Sequence, residues 1–165
     1  MKQKAVFLDR DGVINNGDLY YTYKKEDFFF NQDVFESLKL LRKNNFTLII
    51  ITNQGGISKG EYSKNEVDSL HDYMLSELKK QDIDIAEVYY CPHHDSIEKC
   101  ICRKPNSGNI EKAIARFNIN KEKSYLIGDG ERDIEAGQKA GLTCFKIDKN
   151  DSILEICRKI VKPKN

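Results

Sequence analysis

Two carboxylates, Asp9 and Asp11, stand two residues apart in Phe7-Leu8-Asp9-Arg10-Asp11-Gly12-Val13-Ile14-Asn15, directly after a short apolar run. Like charges so close repel, and a divalent cation relieves the repulsion. A hard cation such as magnesium takes one or two carboxylates and completes its shell with water and phosphate oxygens. A carboxylate beside such an ion can attack phosphorus and form an aspartyl phosphate. Its neighbour can protonate the leaving oxygen and then activate water. Alone, the string also fits an ordinary solvated turn closed by Gly12, so the remaining motifs carry the decision.

Four further groups of residues bear on it. Thr52-Asn53-Gln54 follows the most apolar run of the chain, and hydroxyl and amide donors there suit phosphate oxygens. Cys91-Pro92-His93-His94 and Cys100-Ile101-Cys102 bring three thiols and an imidazole within twelve residues, a plausible four-ligand zinc set. Arg103-Lys104-Pro105 comes directly after, and a lysine fixed there could neutralise charge on a transferring phosphoryl group. Last, Ile127-Gly128-Asp129-Gly130-Glu131-Arg132-Asp133 supplies two more acids, of which Asp133 also fits a simple helix cap.

These groups need a scaffold, and the spacing of apolar residues describes one. Strands are expected at Ala5 to Leu8, Thr47 to Thr52, Val88 to Tyr90, Tyr125 to Ile127 and Thr143 to Ile147. Helices are expected from about Asp33 to Asn44, after the capping box Ser63 to Glu66, around Ile110 to Phe117, from Asp133 to Ala140, and around Ile153 to Ile160. His71 is expected on the solvated side of the second helix. Such alternation implies an α/β fold, a doubly wound, Rossmann-like parallel sheet with helices on both faces. If the strand order is 3-2-1-4-5, Asp9, Asp129 and Thr52-Asn53 end neighbouring strands and converge in the crevice at the switch point.

The bulk properties narrow the function. The 165 residues suit a single domain spanning 1–165. Lys and Arg number 27 against 26 Asp and Glu, which argues against a nucleic-acid binder. The longest apolar run, Leu48 to Ile51, is too short for a membrane span, and the N-terminus lacks a signal-peptide pattern, so a cytoplasmic protein is expected. There the clustered cysteines point to metal rather than disulfides, and Cys144 and Cys157 read as buried apolar fillers. The tail from Lys162 to Asn165, with Pro163, is expected to fray.

The segment Phe7 to Asn15 resembles the nucleophile motif of the haloacid dehalogenase superfamily, and in particular the branch containing D,D-heptose 1,7-bisphosphate phosphatase and histidinol phosphatase. The four motifs occur in that family's order. The resemblance implies Asp9 as nucleophile and magnesium ligand. It implies Asp11 as general acid/base with its backbone carbonyl on the metal, and Asp129 as a further ligand supported by Asp133. Thr52, Asn53 and Gln54 are then expected at the phosphoryl group, with Lys104 beside it and Arg103 reaching the rest of the substrate. Structural zinc is implied at Cys91, His93, Cys100 and Cys102, leaving His94 an ordinary loop residue.

The chain departs from the family at Gly55 (usually Ser), Lys59 (often Arg) and Gly130 (commonly Lys or Ser). No insertion is long enough for a cap domain, so Asn16 to Phe30, Gly55 to Glu61 and the zinc loop are expected to form the rim. Tyr20, Tyr21 and Tyr23 are candidates for a small lid, and Phe28 to Phe30 for packing a β-flap. The resemblance implies a monomeric, magnesium-dependent phosphatase acting on a small phosphorylated sugar. The leading substrate is D-glycero-D-manno-heptose 1,7-bisphosphate, cleaved at position 7 in a route to bacterial surface polysaccharide, with histidinol phosphate as the alternative. Two non-hydrolytic readings are a phospho-receiver domain and a zinc-stabilised phosphate-binding module.

Overall fold

The computed structural model describes residues 1–162; positions 163–165, with most of the expected frayed tail, lie outside the described residues. Five strands form one parallel sheet: β1 (Ala5–Leu8), β2 (Thr47–Asn53), β3 (Glu87–Cys91), β4 (Tyr125–Gly128) and β5 (Thr143–Lys146). Their spatial order is β3-β2-β1-β4-β5, the order assumed above, which the alternation of elements alone left open. The register places Phe7 between Ile49 and Leu126, so the nucleophile-motif strand is central.

Because side chains alternate along a strand, β1 feeds two cores. Val6 and Leu8 face the larger one, built with α1 (Val34–Lys43), α2 (Lys64–Lys80) and α5 (Leu154–Val161) through Leu38, Leu41, Leu70, Met74, Cys157 and Ile160. Ala5 and Phe7 face the other, built with α3 (Gly108–Arg116) and α4 (Glu131–Lys139) through Ile110, Ala113, Ala136 and Ala140. Each fully buried leucine or isoleucine contributes about 1.5–3 kcal/mol, so both helix layers are held by apolar area rather than by surface ion pairs. Cys157 is buried in the first core and Cys144 packs against the second.

Helix α2 begins with the expected reciprocal cap: the Glu66 N–H donates to Ser63 Oγ at 3.2 Å and the Ser63 N–H to Glu66 Oε2 at 2.7 Å. Helix α4 starts two residues before the expected Asp133, because the Asp133 carboxylate accepts from the Gly130 N–H at 3.0 Å and so occupies the third position of the helix.

Between β1 and α1 the chain forms one short 3-10 turn, Lys25–Asp27, and no cap domain stands among the described residues. The expected β-flap reduces to isolated bridges, Asp11 to Asn15 and Asn15 to Phe30. Phe28 is buried and Phe30 packs against the core, but Phe29 is 65% exposed, since an extended segment turns alternate side chains outward. No helix among the described residues is long and apolar enough to cross a membrane.

Candidate active site

The carboxyl ends of β1, β2 and β4 lie side by side, and each delivers its motif to one crevice. Asp9 follows β1 and Asp129 follows β4, while Asp133 projects from the first turn of α4. Oxygens of these three carboxylates lie within 4.8 Å of one another. Gly12 makes the approach possible: its φ is +85°, and a Cβ there would lie 2.2 Å from Asp129 Oδ2.

Lys104 is the counter-charge. Its side chain is buried, and Nζ donates to Asp9 Oδ1 (2.8 Å) and to the Ile51 carbonyl (2.8 Å), and pairs with Asp133 Oδ1 (2.5 Å). Burial alone would lower the lysine pKa, but Asp133 and Asp9 together outweigh it and hold the ammonium charged. Burial, reinforced by Asp133, pushes Asp9 well above the usual carboxylate range, and burial also raises Asp129. With all three acids ionised, Lys104 balances one charge of three, and the remaining two equal the charge of one divalent cation. An all-oxygen donor set with that deficit fits magnesium. Asp9 Oδ1 also accepts from the Arg10 N–H at 2.8 Å, and Oδ2 has no hydrogen-bond partner among the described residues.

Asp11 lies outside this cluster and is gripped differently. The Arg10 guanidinium contacts both of its oxygens (2.9 and 3.0 Å from Nη2), Asn15 Nδ2 donates to Oδ1 at 3.0 Å, and Gln54 Nε2 donates to Oδ2 at 3.1 Å. Gln54 also donates to Thr52 Oγ1 (3.0 Å) and accepts from the buried Tyr62 hydroxyl (2.8 Å). Its side chain is therefore turned to Asp11 and Thr52. Asn53 is similarly engaged, exchanging hydrogen bonds with the Lys104 backbone (3.1 and 3.0 Å), which leaves one amide hydrogen for another acceptor. Both amides, expected at a phosphoryl group, thus also carry hydrogen bonds within the site, Gln54 to Asp11 and Thr52 and Asn53 to the Lys104 backbone.

The mid-chain loop gathers Cys91, His93, Cys100 and Cys102. Sulfur–sulfur separations are 3.0–3.5 Å, and His93 Nδ1 lies 3.5 and 3.3 Å from Cys91 and Cys102. A tetrahedron with zinc–sulfur arms of about 2.3 Å has edges near 3.8 Å, so the soft donor set fits zinc after slight expansion. β3 ends at Cys91, a member of this set, so no aspartate stands where a receiver domain would be phosphorylated. Cys100 Sγ accepts from the Arg103 N–H at 3.4 Å, which links the loop to the basic pair.

Arg103 donates to the His93 carbonyl (3.0 Å) and lines a cleft of about 140 Å³ with Asp11, Tyr20, Tyr21, Gln54 and His94. His94, expected to be an ordinary loop residue, thus faces the same cleft as Asp11. Tyr21 and Tyr23 pack on Tyr62 (ring centroids 5.3 and 4.8 Å apart), while Tyr20 is exposed.

The expectation for His71 is corrected. It is 5% exposed, and its Nε2 lies 3.0 Å from Arg10 Nη1. The signal was in the spacing: position 71 is four after Val67 and three before Met74, which puts it on the apolar stripe of α2.

A family profile described as polynucleotide kinase 3 phosphatase matches residues 6–152. The D-glycero-alpha-D-manno-heptose-1,7-bisphosphate 7-phosphatase of Campylobacter jejuni is 46% identical over 142 residues, which is 86% of this chain and 80% of that protein. The chain belongs to the heptose-bisphosphate phosphatase branch of the haloacid dehalogenase superfamily. The D-glycero-beta-D-manno-heptose-1,7-bisphosphate 7-phosphatase of Escherichia coli K12 is 36% identical to this phosphatase, over 84% of this chain and 75% of that one. Among solved structures, the D,D-heptose 1,7-bisphosphate phosphatase of B. bronchiseptica, complexed with magnesium and phosphate, superposes with a TM-score of 0.82 at 25% identity. It covers 87% of this phosphatase and 80% of its own chain.

Proposed function

We propose that the phosphatase removes the 7-phosphate of D-glycero-D-manno-heptose 1,7-bisphosphate, with Asp9 as nucleophile and Asp11 as general acid/base. The observation that carries the chemistry is the convergence of Asp9, Asp129 and Asp133 around Lys104 at the switch point of the sheet. The substrate rests on the relatives.

Asp9 attacks phosphorus in line, the ester P–O bond breaks, and a proton from Asp11 goes to the leaving alkoxide. Water then attacks the aspartyl phosphate, Asp11 takes its proton, and phosphate departs as Asp9 is restored. Magnesium held by Asp9, Asp129 and the Asp11 carbonyl, with Asp133 in support, would supply charge neutralisation at the phosphoryl oxygens. Lys104 adds a fixed positive charge in a dry site, where it counts most. Thr52 and the remaining Asn53 hydrogen would meet phosphoryl oxygens, and Arg103, which lines the cleft with Asp11, would meet the distal part of the substrate. Cys91, His93, Cys100 and Cys102 would hold a zinc ion with four protein donors, which would make it structural and would fix the loop that carries Arg103 and Lys104. The rim comes from this chain's own loops, which suits a monomer working in the cytoplasm on a small polar sugar.

The test is magnesium-dependent phosphate release from both anomers of heptose 1,7-bisphosphate and from histidinol phosphate, with Asp9→Asn alongside. Preferred turnover of either heptose anomer, abolished in Asp9→Asn, is expected. Preference for histidinol phosphate would keep the mechanism and move the substrate. Release that persists unchanged in Asp9→Asn would remove the mechanism.

A further inference from the structure

Arg10 is 0% exposed, although it stands between two acids of the candidate site. A guanidinium is always charged, and burying one is costly unless its donors are satisfied. Here Nε and Nη2 are directed at Asp11, Nη2 also donates to the Thr22 carbonyl at 2.6 Å, and Nη1 meets His71 Nε2. Arginine has no acceptor, so this last contact requires His71 Nε2 to be the unprotonated nitrogen of a neutral ring. Burial first, and the Arg10 charge second, push the imidazole pKa down to about 3, consistent with that neutral form. His71 is braced in turn by Tyr90, whose ring packs edge-on at 5.4 Å and whose hydroxyl donates to Asp68.

We propose that Arg10, held from behind by the acceptor nitrogen of His71, is the positioning residue that fixes the Asp11 carboxylate toward the substrate cleft. Buried as it is, Arg10 does not reach substrate; it acts through Asp11. Its hydrogen bond to Thr22 also ties the tyrosine-bearing segment of the rim to the same carboxylate, so acid/base geometry and rim placement share one side chain. Loss of the acceptor at His71 leaves a buried N–H without a partner and lets the guanidinium turn away from Asp11. The role rests on Asp11 being the group that exchanges protons with the leaving oxygen and with water.

The experiment separates proton transfer from general damage. His71→Phe keeps a ring without an acceptor, and His71→Gln restores an acceptor oxygen. Both are compared with the unaltered chain, under magnesium, on the best alkyl phosphate of the panel above and on p-nitrophenyl phosphate, whose leaving group departs without a proton. The alkyl ester is expected to lose ~10-fold or more in kcat in His71→Phe, a fraction of the usual ~10²–10⁴ from acid/base catalysis, with KM little changed. The first-turnover burst of nitrophenol is expected to stay within about twofold, and His71→Gln to recover most of the loss.

Equal losses on both esters, or no recovery in His71→Gln, overturn the positioning role while a dead Asp9→Asn control leaves the nucleophile assignment standing. Hydrolysis that persists in Asp9→Asn overturns both. Should His71→Phe fail to fold, nitrogen-15 shifts of the unaltered chain decide. A proton on Nδ1 of His71 supports the brace, and a proton on Nε2 overturns it.

Discussion

At the scale of single residues, Lys104 ties the site together, because its ammonium meets Asp9, Asp133 and the end of β2 at once. Lys104→Met leaves buried carboxylates without their partner, a change that costs about 3–5 kcal/mol in comparable buried pairs. Thermal unfolding is expected to show that loss, with partial recovery on adding magnesium, while phosphate release stays ~10²-fold or more below the unaltered chain. Gly130→Ser should behave in the opposite way. A Cβ at Gly130 meets nothing closer than Asp133 Oδ2 at 3.4 Å, so the variant is expected to fold with a stability change within ~0.5 kcal/mol. Any kinetic effect should then appear as altered KM, measured on the same substrates. The thiols were legible because their residue type has few other reasons to cluster, whereas the acids and Lys104 stood out only through the resemblance of the motifs taken together. Arg10 was not legible, since nothing in Asp-Arg-Asp says that the arginine folds inward. His71 was misread although its spacing carried the answer, because a polar residue type was allowed to outweigh helical position.

At the scale of elements, the loop from Cys91 to Asn106 sets where the basic pair sits. Cys100 anchors the Arg103 N–H, and Asn53 clasps the Lys104 backbone from β2. Cys102→Ala is expected to lower zinc content below one per chain, measured by metal analysis. It should also reduce turnover and thermal stability together, although Cys102 is not part of the Asp9, Asp129 and Asp133 cluster. The loop after β2 makes a second prediction. A Cβ at Gly56 would lie 2.2 Å from the Tyr62 ring, whose hydroxyl orients Gln54 and through it Asp11. Gly56→Ala should therefore lower the free energy of unfolding by about 1–3 kcal/mol, as overpacking does, measured by denaturant titration, and lower kcat with it. Periodicity read the elements to within two residues, and at α4 the two-residue miss has a local cause, the hydrogen bond from the Gly130 N–H to Asp133. The flap escaped it because isolated bridges and a lone exposed Phe29 have no period to read.

At the scale of the molecule, alternating strands and helices imply a parallel sheet but leave its strand order open, and it is the observed order β3-β2-β1-β4-β5 that places the acids together. What the pattern did not contain is the charge balance, which depends on four side chains meeting from three separate stretches. That balance predicts that the folded chain binds magnesium as a stabiliser: at a hundredfold excess over Kd the gain is about 2.7 kcal/mol. Asp129→Asn should remove most of it in a thermal-shift titration. The topology also orders events in time. β1 emerges from the ribosome first, and β2 and β3 can pair with it early, but its other neighbour β4 lies far along the chain: the Ala5 N–H reaches Ser124 Oγ across 119 positions. Closing so long a loop is slow relative to local pairing. A growing chain can therefore complete its thiol loop and seat Lys104 against Asp9 while Asp129 and Asp133 are still unmade. Nascent phosphatase is thus expected to take up zinc well before it can hold magnesium, and to stay silent toward phosphate esters until the final third of the chain has docked.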